Sequence, residues 1–383
     1  MFAYGIFKVI YAPHKAFKEI IQNPNYYGPI LIMVLFIAAN MGSAYLFAVK
    51  TYIETTEPSP SLEKLDLWTE NSTFWVPLNG ANYAENFTDY IAGSCYGNRS
   101  IEFWVEQSDR IAMELHGIEV NCSVAGGYTK VYLRIKLVGP ESLPQNVSLY
   151  LYSRNGVFYR DITSEFSNGA INVWNNLSIP LADEKWRGNT DWGNVTGLKL
   201  EFMWTQTLDT IRVFIDGLFF GGIYKPYVES VPAYLGGYAA YSFMRFFLRW
   251  FLLGGMIYIL TKAFKAKTAW RVSLTLAGFT LITMVVQAVV GAAAFSALPV
   301  IKYPFELVGG VKGEAETAYS KLLEEAWLVN QAYNIAQIIM LVWTVVLCTI
   351  AIHLMAEFSW TTSFLAAFVA YFVAVFIESF LAM

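Results

Sequence analysis

Hydrophobic and polar positions divide the chain into stretches with different periods. Pro29 to Val49 runs for 21 residues without a charge. As a helix that run rises about 31 Å, enough to cross the hydrocarbon core of a bilayer. A long polar stretch follows, and from Tyr238 the chain is apolar again to Met383. Four further spans are predicted at Tyr238 to Leu260, Val272 to Leu298, Trp327 to His353 and Thr361 to Ala382. Five spans place the two ends of the chain on opposite sides of the membrane. The polar stretch has a period of two instead. Lys130 to Leu137 alternates apolar Val131, Leu133, Ile135 and Leu137 with outward Lys130, Arg134 and Lys136. Asn146 to Tyr152, Asn172 to Ile179, Leu198 to Trp204 and Thr210 to Phe219 repeat the behaviour, with Gly, Asn and Pro between them. Short alternating strands across Ile101 to Phe220 predict an antiparallel sandwich. The fold class expected is therefore an α-helical membrane bundle of five transmembrane helices plus an all-β extracytoplasmic sandwich.

The boundaries follow from these periods. Residues 28–50 form the first span. Residues 51–70, with Pro58 and Pro60, read as a linker leaving the membrane. Residues 71–225 form the sandwich and 233–383 the four remaining helices. Residues 1–27 form a cytoplasmic amphipathic segment, in which Phe2, Ile6, Val9, Ile10, Phe17, Ile20 and Ile21 are interleaved with Lys8, Lys15 and Lys18. Pro13 starts a second short helix there, where its missing N–H costs nothing. The pattern fits a helix lying on the cytoplasmic leaflet and equally one packed under the bundle.

Composition and charge sharpen this picture. A chain 56% hydrophobic, with mean hydropathy +0.41, is too apolar for a soluble protein of 383 residues. Thr51 to Pro232 carries 13 Lys and Arg against 22 Asp and Glu, while the whole chain carries 26 against 30. An acidic polar domain argues against nucleic acid, whose phosphates need a basic surface. Positive charge sets the orientation. Lys8, Lys15 and Lys18 precede the first span, and Lys262, Lys265, Lys267 and Arg271 crowd the turn after the second. The opposite loop, Pro299 to Ala326, offsets its lysines with Glu306, Glu314, Glu316, Glu324 and Glu325. The N-terminus is thus expected in the cytoplasm, with the β-domain and C-terminus outside; Lys50 alone sits on the wrong side.

Two features agree with an oxidising, external location. Cys95 and Cys122 both fall in the polar stretch, where a disulfide would form, although two unpaired buried thiols fit as well. Cys348 lies in a span as a small core residue. Asn71, Asn86, Asn98, Asn121, Asn146, Asn176 and Asn194 each begin Asn-X-Ser/Thr, so seven of the 14 asparagines in the polar stretch are N-glycosylation candidates.

Pro13-His-Lys-Ala-Phe-Lys-Glu-Ile20, then Pro24 and Pro29 before an apolar span, resembles the start of the Yip membrane-domain family of Rab-interacting proteins and their archaeal and bacterial relatives. Gly254 and Gly255 ahead of a Lys-rich turn, Trp343 and Leu347, and the turn Glu357-Phe-Ser-Trp-Thr361 extend the resemblance over roughly residues 8–50 and 238–383. It implies five spans, a cytoplasmic N-terminus, an external C-terminus and no catalytic residues. This chain departs from that pattern by its large insert after the first span. Within the insert, Trp174 to Leu181, Asp191 to Leu198 and Val213 to Phe219 resemble a jelly-roll module of the carbohydrate-binding or galactose-binding-like kind.

Candidate chemistry is sparse. Trp104, Tyr159 and Trp186 are candidate sugar-stacking residues, with core packing as the plainer role; Trp174 and Trp192 read as core. Asp216 ends a strand where such modules often use a carboxylate for structural calcium, the one cofactor considered. Polar residues inside spans are costly unless paired or facing water. Arg245, Arg249, Gln287, Asn330, Asn334, Gln337 and Glu378 fall towards the outer side and could converge on one network, Glu378 being the natural counter-ion for the arginines; interhelical hydrogen bonding and snorkelling are the plainer explanation. There is no Walker loop, HExxH, CxxC or GxSxG, and His14, His116 and His353 lie in separate regions, so no enzyme is expected. The functional expectation is a multi-pass cell-membrane glycoprotein of an archaeal envelope, presenting a β-sandwich to a glycan or envelope protein. A transporter or channel built on the polar cluster is the alternative.

Overall fold

In the computed structural model the described residues are 2–59, 66–167, 169–181, 183–188, 190–227 and 231–381. In chain order the first elements are α1 (Phe2–Tyr11), α2 (Pro13–Gln22), α3 (Tyr27–Lys50), β1 (Thr51–Glu57), α4 (Leu67–Glu70), β2 (Trp75–Leu78), β3 (Asn82–Asn86), β4 (Ser100–Val120) and β5 (Lys130–Gly139). Then come β6 (Asn146–Ser153), β7 (Gly156–Asp161), α5 (Thr163–Ser167), β8 (Asn175–Pro180) and β9 (Val195–Pro226). The last are α6 (Val231–Ala263), α7 (Trp270–Thr280), α8 (Ile282–Ala297), β10 (Ile301–Tyr303), α9 (Glu314–Ala356) and α10 (Trp360–Leu381). They form two units. One comprises Met1–Thr51, Pro226–Ile301 and Glu325–Met383; the other comprises Tyr52–Lys225 and Lys302–Glu324.

Among the described residues of the helical unit, five helical stretches are long and apolar enough to cross a membrane: Tyr27–Lys50, Tyr234–Ala263, Trp270–Ala297, Val329–Ala356 and Trp360–Leu381. The third is two helices, α7 and α8, meeting at Leu281. Hydroxyls take up carbonyls near that break: Thr280 donates to the Ala277 carbonyl at 2.8 Å and Thr283 to that of Thr280 at 3.2 Å. Ile6, Val9, Ala16 and Phe17 of α1 and α2 are buried in the same cluster as Ile32, Phe36 and Leu276. The amphipathic segment therefore packs on the bundle, leaving Phe7 and Tyr11 exposed. A Cβ at Gly278 would sit 2.4 Å from Pro29 and 2.6 Å from the Trp250 indole nitrogen, so only glycine lets α3, α6 and α7 meet there.

Among the described residues the second unit is one ten-stranded sheet with the path β10-β1-β9-β4-β2, in which β4 runs antiparallel to β2 and β9. Two strands are unusually long and serve both halves of it. Residues 101–106 of β4 pair with 210–215 of β9, and residues 110–116 pair with 197–203. Between these pairings the register slips at Ser108/Arg110 and Gln107 adopts φ 48°, the signature of a bulge that bends a strand. One half-sheet adds β3, β5 and β8; the other adds β2, β6 and β7. Inward residues of the first half (Ile101, Phe103, Val131, Leu133, Val213, Ile215) and of the second (Met113, Leu115, Leu149, Leu151, Leu198, Leu200) share one buried cluster. Each such side chain stabilises the unit by about 1.5–3 kcal/mol relative to exposure.

Three expectations need correction. The predicted linker is part of the sheet: Thr51–Glu57 is strand β1, with Thr51, Glu54 and Thr56 buried, and Leu67–Glu70 is helical; Pro60 lies outside the described residues. The predicted strands Leu198 to Trp204 and Thr210 to Phe219 are two halves of the single bent strand β9. Cys95 and Cys122 form no disulfide. Cys122 is buried in the central cluster, whereas Cys95 packs with Ile91, Tyr96 and Phe219 in a separate cluster on the opposite face of β5 and β9.

Candidate functional site

The two half-sheets treat their outer faces differently. On the second half, the outward parity of β6 and β7 presents Tyr150, Tyr152 and Tyr159. Register sets Tyr150 beside Tyr159 on one flank and Lys199 on the other, and Lys199 beside Glu114. The Lys199 ammonium lies 4.1 Å from the Tyr150 ring centroid, and Tyr150 and Tyr159 pack with centroids 5.1 Å apart. In the next row Gly197 separates His116 from Tyr152. A Cβ there would approach the Tyr152 ring at 3.2 Å, so the glycine permits the imidazole and phenol to lie parallel, 6.3 Å apart. Glu114 accepts from the Tyr152 hydroxyl and lies 3.0 Å from His116 Nε2; Glu201 accepts from Tyr150 at 3.4 Å. Burial and the Glu114 hydrogen bond raise the Tyr152 phenol above its ordinary range. The face thus offers partly exposed rings among fixed carboxylates, an ammonium and an imidazole. A groove at its edge is lined by Tyr159, Asp161, Thr163, Glu184, Lys185 and Arg187.

The outer face of the first half-sheet is covered. Tyr132 and Phe219 meet Ile91, Tyr96 and Phe305 there. Arg134 is fully buried beneath them, paired with Glu314 at 2.5 Å and donating to the Gly217 carbonyl at 3.0 Å. Glu54 accepts from Tyr132 at 2.9 Å and from the Phe305 N–H at 2.7 Å. Segment 302–324 therefore occupies this face by ion pairing and aromatic packing, and Arg134, read from the alternation as outward, points outward into protein.

Asp216 lies on the same side, fully buried. Its carboxylate accepts from the Gly217 and Ile91 N–H groups, both at 2.7 Å. Burial, then a hydrogen bond with Asp66 and that residue's like charge, push its carboxyl well above the usual range. Donors converge on this pair, and no group of three His, Cys, Asp or Glu side chains gathers for a metal among the described residues. The arrangement suits a shared proton, with both Asp216 oxygens taken by N–H donors rather than turned to the calcium considered there.

No family model matches the chain, and no curated protein matches it. Solved structures similar to part of it include carbohydrate-binding modules and enzymes. They include a family 11 carbohydrate-binding module from Clostridium thermocellum in complex with a β-1,3-1,4-mixed-linked tetrasaccharide (13% identity, 39% of this chain and 90% of that one, TM-score 0.27). A carbohydrate-binding module specific for non-crystalline cellulose matches at 11% identity over 40% of this chain and 91% of its own, TM-score 0.28. An exo-β-agarase matches at 14% identity and TM-score 0.29, this chain spanning 23% of that one.

Of the residues singled out from sequence, Tyr159 lies on the open face. Trp104 is half-buried on the outer side of the first half-sheet, opposite Asn82 and Arg212. Trp186 belongs to the core: it is 9% exposed and its indole N–H donates to the Pro180 carbonyl at 2.9 Å, so its ring is not offered to a sugar. Asn98 and Asn121 are exposed, and Asn71, Asn146 and Asn194 partly so. Two sequons do not present a free amide: Asn176 Nδ2 donates to Glu314 at 2.8 Å and Asn86 Nδ2 to Glu102 at 2.8 Å. Sequence reasoning missed Tyr150 and Tyr152, although their outward parity within Asn146 to Tyr152 was a readable signal.

In the helical unit, Arg249 holds Glu378 with two hydrogen bonds, at 2.5 and 3.0 Å, and Arg245 reaches the same carboxylate at 3.3 Å. Gln287 and Gln337 line a cavity beside them. Asn330 and Asn334 do not join it; they are exposed on α9, because the stripe they share with Gln337 is directed mostly away from the other helices.

Proposed function

We propose that this chain is a non-enzymatic, multi-pass membrane protein that holds a jelly-roll sandwich outside the cytoplasm and binds glycan there through the Tyr150–Tyr152–Tyr159 face. The helical unit would be Yip-like, with the N-terminus cytoplasmic. The observation that carries the reading is the open row Glu114, Lys199, Tyr150, Tyr159. A pyranose ring has an apolar C–H face that stacks on an aromatic ring and a rim of hydroxyls that donate to carboxylates. Partly exposed tyrosines with fixed carboxylates on the outer side of a half-sheet meet both needs. The mixture of charges suits a neutral polysaccharide better than a strongly anionic one.

The test uses the full chain in detergent on an array of neutral and acidic glycans. Saturable binding to neutral glycan is expected, weakened tenfold or more by Tyr150→Ala or Tyr159→Ala and unaltered by Trp104→Ala. Absence of binding to every glycan, or binding indifferent to the tyrosines, would remove this reading.

A further inference from the structure

The charges in the helical unit do not balance. Arg245 and Arg249 converge on one carboxylate, Glu378, and the three side chains together carry one excess positive charge. Arg249 and Glu378 are buried, at 8% and 5% exposure. Glu378 satisfies Nε and Nη2 of Arg249 but only Nε of Arg245; the remaining guanidinium nitrogens make no hydrogen bond among the described residues. Beside them lies a cavity of about 140 Å³. A single water needs only ~10–15 Å³, so this space admits a multi-atom group. Its donors are the two arginines, the Gln287 and Gln337 amides and Tyr371, while the Thr283 and Thr344 hydroxyls are spent on the Thr280 and Met340 carbonyls.

The third span is interrupted at the same place. Leu281, Thr283 and Met284, which flank the α7–α8 junction, line this cavity. Irregular backbone at membrane depth is tolerated where it is buried in protein or lines a polar cavity. The excess charge sits on Arg245, whose side chain is 36% exposed and shares a carboxylate already paired with Arg249, and an anion in the cavity would neutralise it. We infer that this cavity binds one anionic phosphate group, held by Arg245 and Arg249 with the glutamine amides as further donors. The group could be a lipid phosphodiester reached through the partly exposed Arg245 or a free phosphate. This inference rests on the helical unit lying in a bilayer, and is independent of the glycan face.

The full chain is placed in nanodiscs of phosphatidylcholine alone or with phosphatidylglycerol. Bound phosphatidylglycerol is counted by native mass spectrometry after lipid release, and radiolabelled inorganic phosphate is titrated onto the phosphatidylcholine discs. The wild type is expected to retain one phosphatidylglycerol, or to bind phosphate saturably; the first result assigns a lipid headgroup and the second a free anion. Arg245→Gln leaves the neutral Arg249–Glu378 pair intact and should weaken binding at least tenfold. Glu378→Gln removes the offsetting negative charge and should strengthen it, and Lys262→Gln, outside the cavity, should change nothing. If the wild type takes up neither probe, or Arg245→Gln binds as well as the wild type, the site does not exist. A chain that fails to enter nanodiscs at all would overturn the membrane reading itself.

Discussion

Replacing Glu314 by alanine tests whether segment 302–324 is held on the sheet by the buried ion pair. The Arg134 and Glu314 side chains are 0% and 4% exposed, so solvent screens the pair very little. Arg134 has a cation–π neighbour on each side, with the Tyr96 and Phe305 rings 5.1 and 5.5 Å from its guanidinium. Glu314→Ala leaves that guanidinium without a counter-ion and strips Asn176 of its acceptor. Removing one partner of a buried pair costs about 3–5 kcal/mol. At about 2–4 °C per kcal/mol for a unit of this size, the β unit should melt roughly 6–20 °C lower. Burial raises the Glu314 carboxyl pKa more than Arg134 lowers it, so the comparison is made well above the ordinary carboxylate range. Hydrogen exchange on the full chain in detergent should show peptides from 302–324 and 130–137 losing protection together. Arg134→Met combined with Glu314→Ala should recover much of the loss, since no charge is then stranded. Melting within 2 °C of wild type, an interval below the ~6 °C minimum, with unchanged exchange would refute the reasoning.

Other consequences follow from buried groups. Asp216 has a raised carboxyl pKa, so above the ordinary carboxylate range the folded chain keeps a proton that the unfolded chain gives up. Its contribution to stability is full at low pH and is lost as pH rises through the folded value. Asp66→Asn removes the like charge, and melting curves recorded from the ordinary carboxylate range upwards should show a flatter dependence than wild type; identical slopes would exclude the shared proton. Burial pushes the Cys122 thiol up to about 12, so alkylation of the native chain should spare it. The unfolded, unreduced chain should take up three labels, one for each cysteine; a single label would reveal a Cys95–Cys122 bridge.

The apolar runs were the most legible part of the sequence, because each helix long enough to cross a bilayer must satisfy its backbone internally and so leaves an uninterrupted signature. Strand periodicity located β5 and β6 for a similar reason: half of each strand faces the core. What periodicity could not reveal was tertiary placement. The alternation gave Arg134 the outward parity, yet Glu314, 180 residues away, buries it. Thr51–Glu57 looked like a linker because a strand with Thr51, Glu54 and Thr56 buried has no apolar stripe. Trp186 and Tyr159 looked equally available to a sugar until the Pro180 carbonyl fixed one in the core. The break at Leu281 has only Gly278, Thr280 and Thr283 near it, too slight a signal within an otherwise apolar run.

The most direct test of the glycan-binding account is a calorimetric titration of full-length wild type and Tyr150→Ala with the neutral polysaccharide that scores best on the array. Saturable binding by the wild type is expected, with the variant about tenfold weaker or more, roughly 1.4 kcal/mol, and melting unchanged. Equal affinities for the two chains would contradict a binding role for the open tyrosine face.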